Sequence, residues 1–322
     1  MPFWVWLGSI EEGLVYGLMA LGIFITFRIL SLPDLTVDGT FPLGAAVAAS
    51  LITAGVSPAA ATAAALAAGC AGGLVTGLLH TKLRITGLLA GILTMSALYS
   101  ANLRIMGRSN VPLLRQPTVF RQLEEAGVPY EYVELVGVGV VVVLALAFLN
   151  WFLRTEVGHA LRATGDNEQM IRSLGVNTDT MKVLGLAMAN GLVALSGALL
   201  AQAQGYADAG MGIGMIISGL ASVIIGEALL RPKGIFTAAV AAVAGSIAYR
   251  LAVLVALRSG FAPTDLKIVT ALLVVLALAA PAIKDQVSAY RRRRGARSEP
   301  VGEPVREVSP SHASVASRPE DV

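Results

Sequence analysis

Residues 133–153 read VELVGVGVVVVLALAFLNWFL, and residues 154–175 continue as RTEVGHALRATGDNEQMIRSLG. The first stretch is long and apolar enough to cross a bilayer as one helix, because a crossing needs about 20 mostly apolar residues. The second stretch is polar and basic, and another long apolar run follows it at 181–204. A polar segment between two membrane-spanning runs has to lie at a face of the membrane, where a soluble partner can reach it.

The whole chain shares this apolar character. Of its 322 residues, 55% are hydrophobic and 14% are charged, and the mean hydropathy is +0.71, whereas soluble domains carry about a quarter charged residues. We therefore predict an all-α, polytopic membrane helical bundle with about nine transmembrane crossings, one or two of them broken. The predicted crossings are 10–30, 40–55, 58–80, 85–103, 133–153, 181–204, 212–230, 235–257 and 266–283.

The basic residues predict the orientation of the chain. Lys and Arg in short loops stay on the cytoplasmic side, and the run Arg291–Arg294 fixes that side after the last predicted crossing. Counting the crossings back from this run leaves the N-terminus outside and most of the 24 Lys and Arg inside. We expect a transmembrane domain over 1–285, followed over 286–322 by a disordered basic cytoplasmic tail whose arginines can meet membrane lipid.

Several function classes are disfavoured by what the sequence contains. The net charge is +3 and the pI is 9.1, but the basic residues are spread over short loops, which argues against a nucleic-acid partner. The sequence has no phosphate-loop, zinc-protease or Cys-x-x-Cys motif, and its three His are scattered, so we expect no catalytic site, metal or cofactor on this chain. The single Cys70 excludes an intramolecular disulfide. The energy for any pumping must then come from an ion gradient or from another chain.

Residues 31–44, SLPDLTVDGTFPLG, join the first two predicted crossings. Two carboxylates, two prolines and two glycines cannot form an unbroken membrane helix, and irregular backbone at that depth is tolerated only where protein or water satisfies it. Asp34 and Asp38 are either helix caps or turn residues at the inner interface, or they mark a break in the second crossing beside a substrate path. In the second interpretation, Thr40 and Phe41 are also pathway candidates.

A second irregular segment, GYADAGMGIG at 205–214, leads into the seventh predicted crossing. Its glycines favour either a broken or re-entrant helix or close helix packing, and Ser218 and Gly219 follow as pathway candidates. Asn190 is a further candidate because hydrocarbon offers polar groups no partners, although interhelical hydrogen bonding is the alternative role. The same two alternatives apply to Asn102, Gln202, Gln204 and Arg250.

The polar segment, about 154–180, has the features of a docking helix. Leu161, Met170, Ile171 and Leu174 form a short apolar stripe among charged and amide side chains. This pattern predicts a short helix that lies on the membrane and offers a face to another protein.

GHALRATGDN at 158–167, with Gly175 following, resembles the cytoplasmic coupling segment of ABC importer membrane subunits in the branched-chain amino acid and ribose permease family. The resemblance extends from Gly8 to about Lys284. PDLTVDGTFPLG at 33–44 is similar to a subgroup that works with tryptophan- or tyrosine-type binding lipoproteins, which favours an amino-acid-like solute.

The resemblance implies a non-catalytic permease of the bacterial plasma (inner) membrane that dimerises, in the simplest case with a second copy of itself. A separate ABC ATPase would bind inside and an extracytoplasmic substrate-binding protein outside. The residues expected at the ATPase contact are Gly158, Leu161, Arg162, Ala163, Gly165, Asp166, Asn167 and Gly175.

The rival class is a gradient-driven secondary transporter, which needs a titratable or ion-binding site near mid-membrane. We expect no acidic residue at that depth. An intramembrane enzyme is a third class, and the sequence offers it no nucleophile and base constellation. The sequence leaves open the solute, the direction of transport, and whether the dimer is of one chain or two.

Overall fold

The computed structural model describes residues 3–259 together with 268, 271, 272 and 275. The ninth predicted crossing falls almost wholly outside these residues, as does the predicted tail. The helices are α1 (Phe3–Ile23), α2 (Val37–Thr53), α3 (Pro58–Thr81), α4 (Gly87–Met106), α5 (Val119–Glu125), α6 (Val133–Leu153), α7 (Glu156–Asp166), α8 (Glu168–Ser173), α9 (Thr178–Gln204), α10 (Met215–Leu230) and α11 (Ile235–Arg258). A π-helix over Phe24–Ile29 extends α1, and strands β1 (Asn110–Pro112) and β2 (Tyr206–Asp208) pair antiparallel.

The all-α membrane bundle is confirmed, and each of the first eight predicted crossings contains a helix. Within the described residues, six helices are long and apolar enough to cross a bilayer, while α2 and α10 are shorter. The first helix begins at Phe3 rather than near residue 10, so Glu12 lies inside it. Glu12 pairs with Arg250 of α11 at 3.5 Å, and the Arg250 guanidinium carbon lies 3.7 Å from the centre of the Tyr16 ring. These contacts allow a helix with charged residues to extend further than its apolar run.

The helix α9 is the centre of the bundle and packs against α1, α2 and α3. Glycines let these backbones approach closely, as in other membrane helix pairs. A Cβ at Gly73 of α3 would collide with the carbonyl of Leu186, and one at Gly197 would collide with the carbonyl of Phe41. The order of such contacts along the two helices shows that α3 runs antiparallel to α9.

The two short helices both begin inside the bundle. Asn190 is near the middle of the 27-residue α9, and it bonds to residues on both sides of the start of α2. The residues between the π-helix and α2 are not helical, although Asp34 and Thr36 are buried. The helix α10 starts beside Asp38 in the first turn of α2. From this level α10 runs toward the coupling face, meaning the membrane side that carries residues 154–177, and α2 runs toward the far face.

Candidate functional site

A buried hydrogen-bond network surrounds the start of α2. The Asn190 side-chain amide donates to Asp34 Oδ2 at 2.7 Å, and its oxygen accepts from the Thr40 hydroxyl at 2.7 Å. The other Asp34 oxygen accepts from the Thr36 amide at 2.9 Å. The Thr36 and Thr76 hydroxyls lie 2.8 Å apart, which extends the network to α3. These bonds satisfy the polar groups that a non-helical segment leaves unpaired inside a membrane bundle.

Asp38 caps a helix to which it does not belong. Its two carboxylate oxygens accept from the amides of Gly214, at 3.0 Å, and Ile216, at 2.8 Å. A carboxylate at a helix N-terminus satisfies free amide groups and complements the helix dipole. A Cβ at Gly212 would collide with the Asp38 carbonyl, so the close approach of the two segments needs glycine there. We call this meeting of the α2 and α10 N-termini the half-helix junction.

The junction corrects one expectation from the sequence. The prediction that no acidic residue lies near mid-membrane is wrong, because Asp34 contacts the middle of α9 and Asp38 lies four residues further along the chain, in the first turn of α2. The two interpretations of the motif also turn out to be compatible. Asp34 is a turn residue and Asp38 is a helix cap, yet both lie at the break that precedes the second crossing.

Most of the predicted pathway residues are packed inside the chain in this conformation. Thr40, Phe41 and Asn190 are completely buried, and the Phe41 ring stacks on Tyr16 with 5.8 Å between ring centres. Gly219 is buried against Ile23. These side chains therefore line no open path here, which differs from the sequence-based expectation for Thr40, Phe41 and Gly219.

The surface at the level of the junction is formed by residues that the sequence reasoning missed. Ile213 is 67% exposed and Ile217 is 48% exposed, at the start of α10. Between them and Gly219, Ser218 is partly buried, and its hydroxyl lies 3.2 Å from that of Tyr249. The glycines on both sides of Ile213 were the available signal, because they weaken a helix at that position.

The far face carries a structure that the apolar pattern did not predict. The β1–β2 pair joins the loop after α4 to residues 206–208, in register from Asn110 opposite Asp208 to Pro112 opposite Tyr206. The Ala209 amide also donates to the Ser109 carbonyl at 3.0 Å. Only a few residues separate β2 from Gly214, whose amide donates to Asp38, so the far-face loop is connected directly to the half-helix junction.

The polar segment folds into two short helices rather than one. The Thr155 hydroxyl accepts from the Gly158 amide at 3.2 Å and begins α7, and Asn167 Oδ1 accepts from the Met170 amide at 3.0 Å and begins α8. The predicted apolar stripe divides between two faces. Leu161 and Ile171 are buried, whereas Met170 is 52% and Leu174 is 70% exposed.

The predicted coupling residues divide in the same way. Gly158 packs against Leu153, Leu161 is completely buried, and a Cβ at Gly165 would collide with the carbonyl of Ile29. These three residues face the bundle in this conformation, and their part in an ATPase contact stays a prediction. Arg162 and Ala163 are half-buried, and Asp166, Asn167 and Gly175 are exposed.

A charged network fastens α8 to the first turns of α9. Glu168 Oε2 accepts from the Lys182 ammonium group at 2.7 Å, and Arg172 bonds to Asp179 at 3.0 Å. The hydrogen bond from Lys182 holds the pKa of the Glu168 carboxyl below its ordinary value of 4.5, and partial burial opposes this shift only in part. The Thr178 hydroxyl also donates to Glu168, at 3.1 Å. These bonds join α8 directly to the central helix.

Among the described residues, no group of three or more His, Cys, Asp or Glu side chains is arranged to hold a metal ion. A cavity of about 1060 Å³ lies at the far face and is lined by several glutamates, including Glu11, Glu124 and Glu134.

The sequence of this chain is similar to a family of known transport proteins. A model of the family described as branched-chain amino acid transport system, permease component, matches residues 7–279. The tyrosine transport system permease protein of Clostridioides difficile is 43% identical over 275 residues, which cover 83% of this chain and 88% of that protein. An uncharacterized protein of Rickettsia prowazekii is 34% identical over 84% of this chain and 95% of its own length.

A shorter match joins this chain to the autoinducer 2 import system permease protein LsrC of Escherichia coli, 30% identical over 106 residues, or 32% of this chain and 31% of that protein. No solved structure matches the chain. The family match spans nearly all the described helices, and the relatives are named as permeases of transport systems. The chain therefore belongs to the branched-chain amino acid transport system permease family and is a permease subunit of an ABC importer.

Proposed function

We propose that this permease imports an amino-acid-like solute, with ATP hydrolysed on a separate chain. The solute class rests on one observation, the 43% identity over most of both chains to a protein named as a tyrosine transport system permease. The chain would form the pathway with a second copy of itself, receive solute from an extracytoplasmic binding protein, and leave covalent chemistry to the ATPase. Residues 1–285 would be the permease domain and 286–322 a basic cytoplasmic tail.

The proposed docking surface for the ATPase is the exposed side of α7 and α8. Met170 and Leu174 expose large apolar side chains next to the exposed polar groups of Asp166 and Asn167. Apolar side chains outside the hydrocarbon and surrounded by polar groups are typical of a protein contact. Under this proposal the coupling face is cytoplasmic and the N-terminus is outside, in agreement with the distribution of Lys and Arg along the chain.

The substitution Leu174→Glu tests this surface, with Leu83→Glu as its matched control. Leu83 is also highly exposed and lies in the loop after α3 on the same face. We expect L174E to lose co-purification with the ATPase while L83E keeps it, both proteins remaining monodisperse in detergent. Equal retention of the ATPase by both variants would exclude α8 from the contact.

We also propose how the ATPase would act on the pathway. The coupling helix α7 rests on the end of the first span, where Gly165 meets the Ile29 carbonyl and Leu161 packs near Gly185 beside Leu30. Only a few residues separate this contact from Asp34 and the half-helix junction. Displacement of α7 during ATPase closure would therefore move the start of α2. The exposed surface around Ile213 and Ile217 would then become accessible from each side of the membrane in turn.

Gly165→Ala tests this transmission, because the added methyl group would push α7 away from Ile29. Its control is Gly139→Ala in α6, where an added Cβ meets nothing within 4 Å. We expect G165A to keep ATP hydrolysis and to lose most ATP-driven uptake, while G139A keeps both. If G165A transports normally, the contact does not transmit the movement.

Reconstitution separates the importer from the rival class. Vesicles that contain the permease, its ATPase and its binding protein should take up radiolabelled tyrosine or a related amino acid only with ATP. The permease alone should take up nothing under an imposed proton or sodium gradient. Gradient-driven uptake by the permease alone would favour a secondary transporter, in which Asp34 and Asp38 would be the acidic residues available at mid-depth.

A further inference from the structure

A cleft of about 600 Å³ opens at the coupling face between the end of the first span, α7 and the turn that joins α10 to α11. Four basic side chains line it, and they come from three different parts of the chain: Arg28, Arg162, Arg231 and Lys233. The acidic lining residues are Asp166 and Glu227. The cleft therefore carries an excess of two positive charges.

The internal ion pair leaves most of this positive charge free. Arg28 Nε lies 3.0 Å from Glu227 Oε1, so these two groups neutralise each other. Arg162, Arg231 and Lys233 form no ion pair with any described residue. Neighbouring positive groups in a cleft attract an anion to a common point between them.

The backbone around the cleft adds to its positive electrostatic potential at one point and takes unusual conformations at two others. The 24-residue helix α11 begins there, with Gly234 and Ile235 in the lining, and a helix N-terminus favours an anionic group. Arg231 is held at φ +45°, a left-handed conformation that costs a non-glycine residue free energy. The first wall of the cleft is the π-helix that carries Arg28, and such helices are rare in ordinary scaffolds.

The apolar surroundings distinguish a lipid from a soluble anion. Phe24, Ile29 and Ile235 form part of the lining. Next to the basic turn, Leu229 and Leu230 are more than half exposed, and Phe236 is also exposed. Exposed apolar side chains beside unpaired cations match a molecule that has a phosphate group and acyl chains, and basic pockets between membrane helices are known to take anionic headgroups. A free phosphate ion would gain nothing from these side chains.

We propose that this cleft binds the phosphate headgroup of an anionic phospholipid from the leaflet on the coupling-face side. The bound headgroup would bridge Arg162 of α7 to Arg231 and Lys233 of the α10–α11 turn. It would thus join the coupling helix to the helix that Asp38 caps at its other end. Any effect of the lipid on ATP-driven transport rests on the proposed ATPase contact, whereas binding of the lipid does not depend on it.

The test measures binding of phosphatidylglycerol to the purified full-length chain by native mass spectrometry, with phosphatidylcholine, whose zwitterionic headgroup has no net charge, as the comparison. The double variant R231Q/K233Q removes two of the free charges. The matched control K82Q/R84Q removes the same two charges from the exposed α3–α4 loop on the same face, and Arg84 is likewise left-handed, at φ +55°. We expect affinity for phosphatidylglycerol to fall at least about tenfold in R231Q/K233Q and less than about twofold in the control.

Folding is checked by size-exclusion chromatography, and the single variant K233Q provides a milder second measurement, with an expected loss of about fivefold. Equal losses in the cleft and control variants would overturn the proposal, because binding would then reflect net charge alone. Displacement of the lipid by inorganic phosphate at equal concentration would assign the cleft to a free anion. If R231Q/K233Q binds the lipid as the natural chain does but no longer co-purifies with the ATPase, the cleft is a protein contact. Either outcome overturns the lipid site.

Discussion

Replacing Asn190 with leucine should remove the centre of the buried hydrogen-bond network at the start of α2 while keeping the number of side-chain heavy atoms. Asn190 donates to Asp34 and accepts from Thr40, both at 2.7 Å, and it is completely buried. Leucine can replace neither bond. The Asp34 carboxylate and the Thr40 hydroxyl would each lose a partner in a place that water does not reach.

The magnitude follows from the kind of bond that is lost. Both Asp34 oxygens accept hydrogen bonds, and a bond to a charged acceptor contributes about 1.5–3 kcal/mol. An interhelical bond between neutral groups in a membrane protein averages about 0.6 kcal/mol. We therefore expect N190L to lower the free energy of unfolding by about 2–4 kcal/mol.

Asn102→Leu is the matched control because Asn102 is also completely buried and also touches α2. Its amide donates to the Gly39 carbonyl at 3.1 Å, but its side-chain oxygen has no hydrogen-bond partner among the described residues. Leucine removes one neutral bond and also removes the unpaired oxygen, whose burial is costly. The two effects oppose each other, so N102L should change the free energy of unfolding by less than about 1 kcal/mol.

The assay is reversible unfolding of the purified chain in mixed micelles, driven by increasing sodium dodecyl sulfate and followed by circular dichroism. The reasoning is refuted if the two variants are destabilised equally, or if N190L is as stable as the natural chain. Helical content before unfolding should be unchanged in both variants, which confirms that the comparison concerns stability and not misfolding.

Three further outcomes are expected. Asp38→Ala should cost about 1–2 kcal/mol by uncapping α10, and hydrogen exchange should accelerate in the first turn of that helix while the distant end of α11 stays unchanged. Glu168→Gln should accelerate hydrogen exchange across α8 at neutral pH, because it weakens the bond to Lys182. The lowered pKa of Glu168 stabilises the fold above pH 4.5, and this contribution is lost as the pH falls through that pKa. The exchange rates of the variant and the natural chain should therefore converge in acid. In a background without the natural cysteine, Ile213→Cys should react with a water-soluble thiol reagent and Phe41→Cys should not, and the reverse order would place the pathway on the other side of α2.

Local patterns in the sequence predicted the membrane bundle and the family well. Apolar runs near the bilayer thickness located the helices of the first eight predicted crossings, because hydrocarbon imposes this length on any helix that crosses it. The polar segment likewise predicted one short helix between α6 and α9, but the structure has two, which begin at the local caps Thr155 and Asn167.

The same patterns could not predict which way each side chain faces. Gly165 and Leu161 were expected at a partner surface, but they pack on the bundle because the end of the first span lies beneath α7. The depth of Asp34 was also misjudged. Its surrounding motif resembles an interfacial turn, and only the bond to Asn190, 156 positions away in the chain, sets it near the middle of α9.

The sequence by itself determined that this protein is a helical membrane permease of its family, since hydropathy and local motifs act within a few residues of each other. Only the tertiary structure decided that two short helices meet at their N-termini, that Asp38 caps α10, and that Ile213 and Ile217 form the exposed surface there. The physical reason is that a buried polar group is stabilised by whichever partner lies nearest in space, and sequence separation does not limit that choice.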